Sequence, residues 1–379
     1  MSSCRSELAT DYTDGCQKCQ AVGQSYICEY NNVNILTLHT THAIICAGKK
    51  SGQLLEKKKK TLDRFGKTVS AWRNSGGGQV LIHVEGQLPE DRCLEQFDEF
   101  ITKTLTDLLD DEELYVEAYR RGWLSEIHEF LGNTDFILVN VKETNGVSTV
   151  DFNTKAKNDI ENVPVTSARL AKCMSRETYK STQKPKTKGL CENIQQLHES
   201  RNTEVKSLHL AKLKKQIAQQ VSKSPADIVD FIWHELKLKD NLTSLSKVEG
   251  GGSYYVGISE YTLEFESYRT KLLNVDGFPI NFPEFEIINA IKCKLQSETI
   301  ALQKGTFCSV PDDLIEVKFH AIPGKQGRVL EVAVRWFDGI IFNDKDGPRA
   351  YEVKNNAIQR MDKEAWLKRY HPHRRRSLP

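Results

Sequence analysis

No stretch of this 379-residue chain approaches the roughly 18 uncharged apolar residues that a membrane helix requires. The longest apolar pieces, Asn34 to Leu38 and Ala43 to Ala47, are strand-sized, so no membrane span is expected. The first fifteen residues carry Asp and Glu early and lack an apolar core, which argues against a cleaved secretory signal and for a cytoplasmic location. An excess of one charge is also lacking. Lys and Arg total 53 against 51 Asp and Glu, a formal net charge of +2, so any affinity for nucleic acid must be local. Ten cysteines spread over the chain do not form the dense pattern of a small disulfide scaffold, and reduced thiols or a metal site are the better readings. What is present, 39% hydrophobic and 27% charged residues, excludes wholesale disorder and suits two or three packed lobes.

Residues 1–30 are polar, without clear periodicity, and read as a poorly ordered leader holding Cys4, Cys16, Cys19 and Cys28. From 31 to 145 the pattern is that of an α+β lobe. Leu62, Phe65, Val69 and Trp72 recur at helical spacing after the lysine run Lys57 to Lys60. Asn74-Ser75-Gly76-Gly77-Gly78 stops that helix, and Gln79 to Glu85 reads as a buried strand. Cys93 to Leu109 is helical by spacing and Phe136 to Val141 is a further short strand. Residues 146–196 are polar and read as an inter-lobe linker; 197–370 form a second lobe, and 371–379 a basic tail.

The second lobe repeats the order of the first. A helix over Ser224 to Leu238, with Ser224 as cap and Pro225 in the first turn, precedes Gly250-Gly251-Gly252 and an apolar strand. Aligning Gly76 with Gly250 superposes Val80 on Tyr254, Ile82 on Val256 and Val84 on Ile258, which suggests two related lobes.

Chemistry concentrates at Glu199-Ser200-Arg201-Asn202-Thr203-Glu204-Val205-Lys206. On a strand beginning at Thr203, Glu204 and Lys206 share one face while Val205 faces the core. A carboxylate can hold a hard divalent cation, and a neighbouring ammonium can neutralise charge developing on a phosphate. The same three residues equally describe a solvated strand with an ordinary ion pair. Glu199 lies five positions before Glu204, so a turn through Ser200 to Asn202 must intervene for the two acids to converge, with Glu260 supplying a third from an adjacent strand.

Glu199-Ser-x-x-x-Glu204-x-Lys206, followed by Gly251-Gly252 and a strand ending at Glu260, resembles the signature of the Schlafen family. Asn74 to Gly78 resembles the family's first-lobe motif, Ser175-Arg176-Glu177-Thr178 its inter-lobe segment, and similarity continues through Phe307-Cys308, Val329 to Val334 and Val353 to Trp366. The resemblance implies an α+β horseshoe-like core of two related AlbA-like lobes. It implies a metal-dependent endoribonuclease acting on structured RNA such as tRNA, rRNA or small-RNA and piRNA precursors. Catalysis would fall to Glu199, Glu204, Glu260 and Lys206, with the three glutamates holding Mg2+ or Mn2+. The family usually has Asp at the position of Glu260, and Val205 replaces a Phe. The chain resembles a short, helicase-less member, similar to nematode piRNA-precursor nuclease subunits, with a Schlafen-like partner in a homo- or heteromer implied. The alternative is a catalytically silent RNA-binding subunit of such a nuclease.

The family's second-lobe zinc set is not matched: Cys308 is kept, but Thr306 stands for the first ligand and Phe337-Asp338 lie near the later pair, so no structural zinc is expected there. Cys16-x-x-Cys19 with Cys28 nearby has ligand spacing, but the sequence assigns no fourth ligand, and the three are read as free thiols. Because Asn31 to Thr41 contains no acid, one metal centre, in the second lobe, is expected. The RNA-contacting candidates are Lys57, Lys58, Lys212, Lys214 and Lys215.

Overall fold

The computed structural model describes residues 9–370 apart from 13, 31–33, 49–51, 88–93, 109–118, 129–134, 176–183, 188–198, 208–223, 265–268, 278–281, 325–326 and 356. Lys212, Lys214, Lys215, the segment 176–178 and the basic tail lie outside the described residues. The secondary structure is mixed α and β, and the chain divides into two units, Met1–Asp151 with Pro348–Pro379, and Phe152–Gly347.

Unit 1 is organised by a strand that is apolar on both faces. It contains β1 (Ala9–Tyr12), α1 (Gln17–Tyr30), β2 (Ile35–Thr41), α2 (His42–Ile45), α3 (Gly52–Asn74), β3 (Gly78–Glu85), α4 (Leu94–Leu108), β4 (Tyr119–Trp123), α5 (Leu124–Ile127), β5 (Phe136–Val141) and β6 (Thr149–Asp151). The sheet order is β1-β2-β3-β5-β4, with β2 parallel and β5 antiparallel to β3. Side chains alternate along a strand, so Val80, Ile82 and Val84 face Phe65, Val69, Phe97 and Ile101 on α3 and α4. Leu81 faces the other way and packs with Ile35 and Leu138 against Val22, Tyr26 and Ile27 of α1.

That second face corrects, for 17–30, the reading of residues 1–30 as a poorly ordered leader. Residues 17–30 form a docked helix because Val22, Tyr26 and Ile27 recur at helical spacing, a signal diluted by the polar residues between them.

Unit 2 holds β7 (Lys155–Asn158), β8 (Glu161–Pro164), α6 (Ser167–Ser175), β9 (Thr203–Lys206), α7 (Pro225–His234), α8 (Leu238–Leu245), β10 (Gly252–Val256), β11 (Ile258–Glu264), β12 (Arg269–Val275), α9 (Glu284–Glu298), β13 (Ile300–Gln303), β14 (Thr306–Cys308), β15 (Ile315–Ala321), β16 (Arg328–Val334) and β17 (Ile340–Phe342). Its main sheet runs β15-β16-β10-β9. Ser224 caps α7 as expected, its hydroxyl accepting from the Asp227 amide. Tyr254, Leu330, Val332 and Val334 pack against Ile232, Trp233, Leu242 and Ile291 of the three helices. The opposite face buries Glu331, which accepts from Ser253 and Tyr255 and faces His320 Nε2 at 2.8 Å.

Two domain boundaries differ from the sequence reading. The interval 146–196 is not simply a linker: its described part includes β6, β7, β8 and α6. Residues 349–370 belong to unit 1 rather than the second lobe, as β18 (Arg349–Lys354), β19 (Ala357–Arg360) and α10 (Lys363–Tyr370). Three contacts within unit 1 hold them there: Trp366 Nε1 donates to Thr149 at 2.9 Å, Arg349 donates to Asp63 at 2.8 Å, and Asn74 donates to the Tyr351 carbonyl at 2.8 Å.

The repeat recurs as topology. β3 lies between a parallel neighbour, β2, and an antiparallel one, β5, which pairs with β4; β10 lies between parallel β9 and antiparallel β16, which pairs with β15. The glycines repeat as well. Gly76 and Gly77 have φ +90° and +85°, and Gly250 and Gly251 +78° and +75°. The correspondence ends at Gly257 (φ +102°), which separates β10 from β11 where β3 continues unbroken.

Candidate functional site

In unit 2 the parallel pairing of β9 with β10 sets Glu204 opposite Tyr254 and Lys206 opposite Val256. Val205 enters the core, while Glu204 and Lys206 share a face, with Lys206 Nζ 2.5 Å from Glu204 Oε1. The turn needed before the strand is present: the Ser200 amide donates to the Thr203 carbonyl at 2.9 Å, and Ser200 Oγ to Asn202 Oδ1 at 2.9 Å. It brings Glu199 Oε1 within 3.5 Å of Lys206 Nζ. The other oxygen of Glu204 is held by Lys157 on β7, whose buried ammonium donates at 2.6 Å and also donates to the Ile160 carbonyl. Glu199, Glu204 and Lys206 are therefore brought together, and Lys157 joins them unforeseen. Glu260 sits exposed on β11, which runs beside β9, and the three glutamates do not form a set of mutually close oxygens among the described residues.

Lys157 also lines a recess of about 540 Å3 together with Arg169, Lys172, Arg201 and Lys247, and no lining residue is acidic. Arg169 donates to the Lys157 carbonyl at 3.0 Å, joining α6 to β7. Lys247 donates to Thr154 Oγ1 at 2.6 Å and the Thr243 carbonyl at 2.8 Å. Burial pushes its ammonium down to about 7; Cys173 works against that shift and Arg169 adds to it. Such a recess can take a polyanion, each phosphate being met by several donors.

Of the lysines expected in the first lobe, Lys57 is exposed. Lys58 donates to the carbonyls of Ile45 and Ala47 at 2.8 and 3.0 Å, closing the end of α2, and lies over the Phe100 ring. Its role there is structural.

Unit 1 also gathers a cluster that the sequence reading did not assemble. Cys16 immediately precedes α1 and Cys19 lies in its first turn, while His39 on β2 and His83 on β3 are direct partners in the parallel register. One donor atom from each of the four lies within 4.8 Å of every other. His83 Nδ1 is 3.4 Å from both sulfurs and 3.2 Å from His39 Nδ1, and His39 Nδ1 is 3.7 Å from Cys19 Sγ. The outer nitrogens meet acids: His83 Nε2 lies 3.0 Å from Asp135 and His39 Nε2 3.5 Å from Glu85. Phe136 stacks on His83 at 4.6 Å.

Burial drives the Cys19 thiol far up, and burial also opposes charge on Cys16, but hydrogen bonds from Cys19 and His83 hold the Cys16 thiol below its ordinary value. Desolvation resists ionisation of Asp135, yet the His83 and Lys18 hydrogen bonds bring it to about 2. Cys28, grouped with this pair in the sequence reading, is exposed and accepts from Gln24 instead. The sequence reading expected one metal centre, in the second lobe; among the described residues the set of converging ligand atoms lies in unit 1. Its signal was a Cys-x-x-Cys pair followed by histidines of equal strand parity in otherwise apolar strands. The two histidines join the cysteines only through the parallel register of β2 and β3, which sequence spacing does not display.

No family model matches the chain, and no curated protein matches it. Among solved structures it is similar to the DIP2311 protein from Corynebacterium diphtheriae, at 18% identity and a TM-score of 0.23, over 46% of this chain and 24% of that one. The chain thus spans about a quarter of that structure's length.

Proposed function

We propose that the protein binds structured RNA through unit 2 and cleaves it there as a metal-dependent endoribonuclease. The observation that carries the reading is that Lys157 belongs to both features: it lines the cationic recess and holds the carboxylate of Glu204. A phosphodiester backbone lying in the recess would pass beside Glu199, Glu204 and Lys206. Carboxylate oxygens suit Mg2+ or Mn2+, and Glu199 and Glu204 are the groups that would hold the ion. Bound there, it would supply Lewis-acid stabilisation and an activated water. Lys206, now between the two glutamates, is placed to neutralise phosphate charge, and the recess cations orient the backbone without reading sequence. The motif resemblance to Schlafen proteins supports the same chemistry, with a Schlafen-like partner chain.

One observation favours a second reading, a silent RNA-binding subunit: both oxygens of Glu204 are already paired with lysines. Incubating the purified chain with tRNA, with and without Mn2+, separates the two. Mn2+-dependent cleavage lost in Glu204→Gln, with binding retained, supports the nuclease; binding without cleavage supports the subunit. Absence of salt-dependent RNA binding removes both.

A further inference from the structure

We propose that Cys16, Cys19, His39 and His83 bind one zinc ion in a closed, four-coordinate site that fastens α1 to the sheet of unit 1. The inference is independent of the RNA reading, since it rests on other residues.

The distances are those of ligands around a single ion. A tetrahedral zinc with bonds of about 2.3 Å to sulfur and about 2.0–2.1 Å to nitrogen separates neighbouring donors by roughly 3.3–3.8 Å. Four of the six donor separations run from 3.2 Å, His39 Nδ1 to His83 Nδ1, to 3.7 Å, Cys19 Sγ to His39 Nδ1, and all six lie within 4.8 Å. A two-iron cluster would need its donors spread over two centres, whereas all of these lie within 4.8 Å.

The protonation pattern points the same way. Asp135 beside His83 Nε2 and Glu85 beside His39 Nε2 favour the tautomer with hydrogen on Nε2. Both Nδ1 lone pairs then face one another and the two sulfurs. A cation among them would make each Nδ1 a ligand, and the carboxylates would become the outer partners that metal-bound histidines usually have. Cys16 sits at the N-terminal end of α1, where the helix dipole favours thiolate.

Softness and geometry select the metal: two thiolates and two imidazoles in a tetrahedron suit zinc. Four protein ligands leave no position for substrate, and with Cys19 and His83 buried and Cys16 and His39 half-buried the site reads as structural.

The test uses the full chain. After dialysis against metal-free buffer, elemental analysis should find one zinc per chain. Replacement by Co2+ should give the intense visible bands of a tetrahedral site with a sulfur-to-cobalt charge-transfer band. Cys19→Ser and His83→Asn should each lower bound zinc at least tenfold, while Cys28→Ser, on the same helix, keeps it. If those ligand variants fail to fold, Cys16→His, which retains a zinc ligand, should still bind cobalt with a weakened charge-transfer band. A folded wild-type chain that neither retains zinc nor gives the cobalt spectrum would overturn the proposal. So would metal loss in Cys28→Ser equal to that in Cys19→Ser, or a Cys16–Cys19 disulfide in freshly purified protein.

Discussion

His39 and His83 stand opposite one another on adjacent parallel strands, and their Nδ1 atoms approach to 3.2 Å. Side chains in that register share a face, here the one covered by α1, and Ile35 and Leu81 on the same face make the apolar floor beneath the helix. A polar pair therefore interrupts an otherwise greasy contact at the point where the Cys-x-x-Cys turn enters. Such an interruption costs stability unless the buried polar groups are hydrogen-bonded or bound by a ligand.

The outer carboxylate gives the first prediction. Asp135 holds His83 through Nε2 and is itself held by Lys18 at 2.5 Å. Asp135→Asn should weaken zinc affinity by about 10–100-fold without removing a ligand. Competition with a chromogenic chelator measures this; affinity equal to wild type would show that Asp135 does not orient the ring.

The paired glycines give a second. A Cβ on Gly251 would lie 2.1 Å from the Val334 carbonyl oxygen, and one on Gly77 2.9 Å from that of Val141, each on the antiparallel neighbour of its central strand. Gly250 and Gly76 share the positive φ but meet nothing within 4 Å. Gly250→Ala and Gly76→Ala should cost about 1–2 kcal/mol from the left-handed backbone alone. Gly251→Ala and Gly77→Ala should cost more, at least about 3 kcal/mol, because the strand must also move. Urea unfolding of the four variants decides it, and equal costs within each pair would refute the steric account.

The legibility of the fold follows the strength of local periodicity. β3, α3 and α7 were readable because apolar residues recur at strand or helix spacing, and the two glycine turns because positive φ is costly for other residues. α1 was not, since its buried residues are separated by Gln20, Gln24 and Ser25. The return of residues 349–370 to unit 1 was invisible because it depends on long-range bonds such as Asn74 to Tyr351. At the candidate site, Glu199, Glu204 and Lys206 were readable from strand parity plus a turn. Lys157 was not, for nothing in Lys155 to Asn158 announces that its ammonium reaches β9.

That hidden lysine carries a third prediction. Lys157 and Glu204 are 3% and 7% exposed, so Lys157→Met leaves a buried carboxylate with Lys206 as its remaining named partner. Loss of one member of a buried pair costs about 3–5 kcal/mol, and the surviving partner places this variant near the lower end. Adding Glu204→Gln to Lys157→Met should recover part of the loss. A double variant no more stable than Lys157→Met would mean that the unpaired charge is not the cause.

The last prediction concerns Lys247, whose ammonium burial lowers to about 7. An unfolded lysine keeps its proton to about pH 10.4, so between about pH 7 and pH 10 the unfolded chain binds more protons than the folded one. The contribution of Lys247 to stability must then rise with pH across that window, so the stability of Lys247→Met relative to wild type should fall as pH rises. The same group should report on anions. Phosphate entering the recess beside Lys157, Arg169 and Arg201 brings negative charge to Lys247 and favours its protonated form. Binding of inorganic phosphate should therefore take up a proton near neutral pH and weaken as pH rises from about 6.5 to about 8.5, beyond what the titration of phosphate itself produces. Calorimetry in buffers of different ionisation enthalpy reads the proton directly. Phosphate binding with no proton uptake attributable to Lys247, judged against Lys247→Met, would separate this lysine from the anion and leave the other recess cations to hold it.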